Sequence, residues 1–256
     1  LKGWRFVFLP DVVTPAELPV DCNAFKTQQH RWAKGLIQTC RKTLPTILRS
    51  PLPLRVKLEA FVHLTANFGY LLMLGLCLLL GPAIRLPAGP EWGWMRLLLL
   101  DGPIFIAAGL SVTLFYFCAQ IELRRGFWKS LLMIPVVMAV GIGLTFNNSK
   151  AVLEAMFGRR SEFTRTPKYG IRAAGERWQS KKYGAMRGLL PYLEVVFGTY
   201  FAWLTAWCIA QGAWISLPFL LLFPSGFLWI GLMSLLQRRA AFVPEAHLRD
   251  LRTARA

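Results

Sequence analysis

The sequence predicts a polytopic α-helical membrane domain preceded by one strand and one amphipathic helix. Three observations predict it. The chain is 55% hydrophobic with a mean hydropathy of +0.42, yet carries a net charge of +17. The apolar residues are gathered in uncharged runs instead of being spread at the period of a soluble helix or strand. The basic residues are concentrated between those runs.

The chain opens on Trp4-Arg5-Phe6-Val7-Phe8-Leu9, a β-rich stretch read as a strand. Asp21 or Asn23 is a suitable N-cap for a following helix, expected to run towards Leu44 and to stop at Pro45. Its tail, with Arg41 and Lys42 on a partly apolar body, suits a membrane surface. Pro51 and Pro53 separate it from the first apolar run.

Ala60 to Ile84 is 25 residues without Asp, Glu, Lys or Arg. As a helix it reaches roughly 37 Å, enough for a bilayer. Gly102 to Ile121 and Ser130 to Ser149 are further uncharged runs of 20 residues. Val195 to Gln237 is a run of 43, about two spans, and Gln211-Gly212 and Pro218 mark its turn. No basic leader with a cleavage site precedes these runs, so no secretory signal peptide is expected.

Charge gives the orientation. Residues 1–60 hold ten basic and four acidic groups, residues 150–187 ten and three, and residues 238–256 are net +3. Basic loops stay in the cytoplasm, so these three regions are read as inside, and the short loops near 85–101 and 211–218 as outside. Parity then favours Ser130–Ser149, with Pro135, Gly141 and Gly143, as a re-entrant or interfacial piece beside four full spans, with a full span there as the alternative. The basic charge is assigned to lipid headgroups, and no nucleic-acid partner is expected.

The five cysteines (Cys22, Cys40, Cys77, Cys118, Cys208) have no metal-ligand or C-x-x-C spacing and are read as packing residues. His30 is read as a helix-surface residue and His63 as lying near the cytoplasmic end of a span, neither as a ligand. Asp11 and Glu17 are read as exposed turn carboxylates. Tyr192, Phe197, Tyr200, Trp203, Trp207 and Trp214 crowd the late spans, as interface-belt aromatics or as plates lining a sugar channel. Asn67, Asn147 and Asn148 are polar groups suited to a lumen.

Two motifs carry chemistry. Gln28-Gln29-His30-Arg31-Trp32 is a Q-x-x-R-W run, and on a helix Gln28, Arg31 and Trp32 share one face. A guanidinium fork suits a diphosphate, and an indole gives a flat apolar plate for a sugar ring. The bland alternative is an interfacial helix anchored by Trp and Arg. Phe163-Thr164-Arg165-Thr166-Pro167-Lys168 lies in the basic loop between apolar segments, whose bland role is to set orientation.

Together these motifs resemble the processive family 2 glycosyltransferases, the cellulose- and mannan-synthase-like enzymes, whose gating-loop pattern is F-x-V-T-x-K. Arg165 stands where that pattern has Val. The resemblance implies that residues 1–45 are the last strand and helix of a cytosolic α/β (GT-A-like) glycosyltransferase domain. It implies a membrane region over 46–149, with spans near 60–84 and 102–121 and the piece at 130–149. It further implies a gating-like loop over 150–187, a transmembrane hairpin over 188–237 and a basic tail over 238–256.

By the same resemblance, Gln28 and Arg31 contact the donor diphosphate, Trp32 stacks on the acceptor end of the glycan, and Phe163, Thr166 and Lys168 close over the nucleotide. The partners implied are a nucleotide sugar (UDP-glucose or GDP-mannose), a glycan acceptor and membrane lipids. The implied location is the bacterial inner membrane, with a cytoplasmic active site. The family's catalytic base and its Asp-x-Asp for a divalent metal, Mg or Mn, are not in this sequence and are expected upstream of Leu1. Two alternatives stay open: single-sugar transfer to a lipid acceptor, and a transporter or channel subunit without transferase activity.

Overall fold

The computed structural model describes residues 3–14, 16–85, 113–123, 126–159 and 188–240. Within them the regular structure is helical, with no strand among the described residues. They form two compact units. The first is drawn from Leu1–Leu74, Leu144–Val195 and Ile230–Ala256, the second from Gly75–Gly143 and Val196–Trp229.

The expected strand at Trp4–Leu9 is irregular, with Trp4, Phe6, Val7 and Phe8 more than 80% exposed. A β-rich stretch becomes a strand only with a neighbour to pair with, and the described residues supply none.

Helix α1 spans Cys22–Arg49. Asp21 is its N-cap, in extended conformation, and its carboxylate accepts from the Ala24 backbone N–H at 2.8 Å. The expected stop at Pro45 does not occur, since Pro45 lies inside the helix. An interior proline costs about 3 kcal/mol through its missing N–H and ring clash. Here that cost is offset by packing on both sides of it. Cys40 and Leu44 are buried against Leu64, with Leu36, Ile47 and Ala60 closing around them. The helix ends at Ser50, which Pro51 forces into an extended conformation (φ −73°, ψ 162°).

Helix α2 (Leu54–Thr65) and α3 (Gly69–Arg85) are joined by a single 3₁₀ turn, Ala66–Phe68. The stretch Leu54–Ile84 is long and apolar enough to cross a membrane. The run Gly102–Ile121 falls largely outside the described residues, which include only a helical stretch over 113–122.

Helix α4 (Phe127–Gly143) and α5 (Thr145–Met156) are consecutive, with a 50° bend between them. Gly158, at φ +68°, ends α5 in a Schellman turn. Its N–H reaches the Ala155 carbonyl at 3.3 Å, and that of Arg159 reaches the Glu154 carbonyl at 2.9 Å.

The 43-residue run separates into α6 (Leu190–Ala210), the short α7 (Leu217–Leu220) and α8 (Leu222–Ala240). The break falls where Gly212 adopts φ +73°, a left-handed conformation that glycine takes without strain. Among the described residues three stretches meet the length and hydropathy of a span: Leu54–Ile84, Leu190–Ala210 and Leu217–Arg238. The α4–α5 pair makes a fourth if it is one broken span.

In the second unit α6 and α8 pack through phenylalanines. Phe201 stacks on Phe223 at 4.6 Å between ring centroids and on Phe227 at 6.0 Å, and all three are fully buried. Phe197 and Tyr200 meet edge to face at 6.4 Å, as neighbours on one helix face. Gly226 admits a close helix approach, since a Cβ there would lie 2.0 Å from the Ala139 carbonyl oxygen of α4.

Candidate functional site

The Q-x-x-R-W run lies in the second and third turns of α1, within the first unit. Its helix has two distinct sides. On the inner side Lys26, Ala33, Lys34, Ile37, Cys40 and Leu44 are buried. Ile37 packs on Val152 and Ala155 of α5, with Phe68 and Leu71 against them.

Three basic residues punctuate this inner side at intervals of one turn: Lys26, His30 and Lys34. Lys26 donates to both carboxylate oxygens of Glu194, at 2.6 and 2.7 Å, with both side chains out of water. Lys34 donates to Glu154 Oε2 at 2.8 Å. His30 reaches the same oxygen through Nε2 at 3.2 Å and the Asn147 carbonyl through Nδ1 at 3.1 Å.

Further polar contacts extend the attachment. Asn147 Nδ2 donates to the Lys26 carbonyl and to Asn148 Oδ1, each at 2.9 Å. The Cys22 backbone N–H donates to Gln237 Oε1 at 2.7 Å, and Asn23 Nδ2 to the Ser234 carbonyl at 3.1 Å. Arg41 donates to the Ala155 carbonyl near the end of α5. Parts of α5, α6 and α8 thus hold α1 at successive turns.

On the other side, Gln28 and Arg31 are half-buried and Trp32 is 57% exposed. The structure therefore brings these three expected residues onto one side of one helix. A guanidinium, a carboxamide and an exposed indole there can grip a diphosphate and stack on a sugar ring. Phe163, Thr166 and Lys168 lie outside the described residues. Asp11 is exposed. Among the described residues no three His, Cys, Asp or Glu side chains come together to hold a metal ion, so no step is derived through one.

Two sequence expectations change. His30 is not a plain surface residue but bridges α1 to α5. Asn147 and Asn148 do not line a lumen: both are buried, with Asn147 bonded to α1. The residues that sequence reasoning missed are Lys26, Lys34, Glu154 and Glu194. The signal was present in the four-residue period of Lys26, His30 and Lys34 among Ala33 and Ile37. Cations on an apolar face call for buried counter-charges.

No family model matches the chain, and no solved structure matches it. Curated relatives do. Glucomannan 4-beta-mannosyltransferase 1 of Oryza sativa subsp. japonica is 43% identical over 68 residues, 27% of this chain and 12% of that protein. Probable glucomannan 4-beta-mannosyltransferase 9 of the same plant is 33% identical over 107 residues, 38% and 20% of the two chains. Probable glucomannan 4-beta-mannosyltransferase 10 of Arabidopsis thaliana is 39% identical over 71 residues, 28% and 12%. The chain thus matches no more than a fifth of the length of these relatives.

Proposed function

We infer that this chain, a relative of the cellulose-synthase-like family 2 glycosyltransferases, is part of a membrane enzyme that extends a β-glycan. The intact protein transfers a hexose from a nucleotide sugar to the growing end and passes the product across the membrane. The relatives' names favour a mannosyl unit in a β-1,4 linkage, and so GDP-mannose over UDP-glucose as donor. The observation that carries this reading is the two-sided α1, which anchors one face in the fold and leaves Trp32 exposed beside Arg31 and Gln28.

In this reading Arg31 clamps the donor diphosphate through its planar fork, and Gln28 hydrogen-bonds the same group. Trp32 stacks on the acceptor sugar and holds its hydroxyl at the donor carbon, so that orientation lowers the barrier. Thr166 and Lys168 close on the diphosphate from the following loop, while Phe163 shields the site from water. A divalent metal bound in the intact protein would supply positive charge against that of the departing diphosphate. Its ligands and the base that takes the acceptor proton are assigned to the part of the protein outside this chain. In this reading the site faces the cytoplasm, which the basic charge of residues 1–60 and 150–187 supports. The relatives are plant proteins and give no support to a bacterial inner membrane in particular.

The test is a transfer assay on the intact protein in membranes, with labelled GDP-mannose and UDP-glucose and sizing of the product. A ladder of mannose-containing oligomers supports the reading. A single-sugar lipid replaces it with the lipid-acceptor enzyme, and solute flux without transfer replaces it with a transporter.

A further inference from the structure

Glu154 lies outside the Q-x-x-R-W motif, yet it gathers two of the three basic residues on the inner side of the motif's helix. Its Oε2 accepts from Lys34 at 2.8 Å and meets His30 Nε2 at 3.2 Å, one turn apart on α1. Lys150, one turn back on its own helix, stands 3.9 Å from Glu154 Oε1. We propose that Glu154 is a positioning residue for the sugar-nucleotide site, fixing the roll of α1 that presents Gln28, Arg31 and Trp32. The inference rests on the transferase reading above and extends it to a residue that touches neither donor nor acceptor.

At about 100° per residue, the mean direction of Gln28, Arg31 and Trp32 lies roughly 130° around the helix from that of His30 and Lys34. Apolar contacts of Ala33 and Ile37 hold α1 against α5, but such contacts are non-directional and tolerate a small roll. Two charge-assisted hydrogen bonds to one oxygen, from successive turns, do not, and they act over His30–Lys34, beyond the directional contacts that Glu194 and Asn147 make with Lys26. Glu154 is itself fixed, because its neighbours Val152 and Ala155 are fully buried against Ile37 and its backbone carbonyl closes the Schellman turn. Its side chain keeps 18% exposure, so truncating it opens no sealed cavity in the apolar core.

The experiment uses the intact protein in membranes and measures GDP affinity, donor KM, kcat and thermal stability. Glu154→Ala is expected to weaken GDP binding and raise the donor KM about tenfold, as a displaced contact group does. Membrane insertion is expected to stay at the wild-type level, while Tm falls because buried Lys34 loses its counter-charge and is recovered, with the affinity, by the charge exchange between the two positions. Glu154→Gln, which keeps an acceptor without its charge, falls between. The exchange Lys34→Glu with Glu154→Lys is expected to recover most of the affinity. Wild-type affinity and KM in Glu154→Ala overturn the proposal. So does a fall in Tm that parallels every other loss and is not rescued by the exchange, because the role is then structural only. A wild-type protein that neither binds GDP nor transfers sugar sinks the transferase reading itself, and this inference with it.

Discussion

Lys26 and Glu194, 168 positions apart in sequence, meet as a buried ion pair, with Nζ 2.6 Å from Oε1 and 2.7 Å from Oε2. Ser234 Oγ stands 3.5 Å from the same nitrogen. The pair joins the second turn of α1 to the first turns of α6. A buried pair adds little net stability over an apolar replacement, but an orphaned partner is costly because one charge then stays desolvated. Lys26→Ala or Glu194→Ala is therefore expected to destabilise the protein by about 3–5 kcal/mol. The double replacement Lys26→Met with Glu194→Leu is expected to cost far less than either single change. Thermal unfolding in detergent of the four proteins checks this, and additive losses in the double variant would contradict it.

At Gly226 the backbone of α8 lies directly against that of α4. A Cβ there would meet the Ala139 carbonyl oxygen at 2.0 Å and the Gly143 backbone nitrogen at 3.0 Å, and backbone atoms cannot swing aside as a side chain can. Gly226→Ala is expected to lower stability by about 1–3 kcal/mol, the usual cost of overpacking. Among the described residues Gly75, in α3, has no atom from outside its own stretch of helix within 4 Å of the position a Cβ would take, so Gly75→Ala serves as a control free of overpacking. Equal melting temperatures for the two variants would show that the α4–α8 contact is looser than described.

Cys22 and Cys40 lie on the inner side of α1 and report on its docking. Burial pushes the Cys22 thiol above its ordinary value of 9.0, a rise that the hydrogen bond with Ser234 only partly opposes. Burial alone pushes Cys40 up. A raised thiol contributes stability that is complete below the ordinary value and is lost as pH climbs through the folded one, so the effect belongs to alkaline pH. Both cysteines are expected to resist maleimide at pH 7.5, because the thiolate is the nucleophile. A cysteine introduced by Trp32→Cys, on the exposed side, is expected to react readily. Mass spectrometry of the labelled peptides distinguishes these outcomes, and fast labelling of Cys40 would mean that α1 is undocked.

Much of the helical framework was legible because it follows from where charges are absent. The uncharged run from Ala60 to Ile84 falls within the apolar stretch Leu54–Ile84, and the break in the long late run falls at Gly212. Local signals were read correctly where local physics decides, as at the Asp21 cap. They failed where tertiary packing overrides them. Pro45 is a helix breaker on its own, but Leu44 and Ile47 packed around Leu64 carry α1 past it to Arg49. Trp4–Leu9 has strand composition, yet composition supplies no pairing partner.

The site was half legible. Gln28, Arg31 and Trp32 share a face because the helical period requires it, and the structure keeps Trp32 exposed. The carboxylates behind that face were not found, since Glu154 and Glu194 lie more than 100 positions away and no local pattern ties them to α1. A row of cations at a four-residue period was the one available clue.

The central claim is that α1 presents a sugar-nucleotide site, and Trp32→Ala tests it most directly. Membranes containing equal amounts of the intact wild-type and variant proteins are given labelled GDP-mannose, and label in polymer is counted. The account predicts abundant label for the wild type and almost none for Trp32→Ala, with insertion unchanged. Equal label in the two would contradict it, because an exposed tryptophan that only anchors a helix at the membrane surface has no part in glycan synthesis.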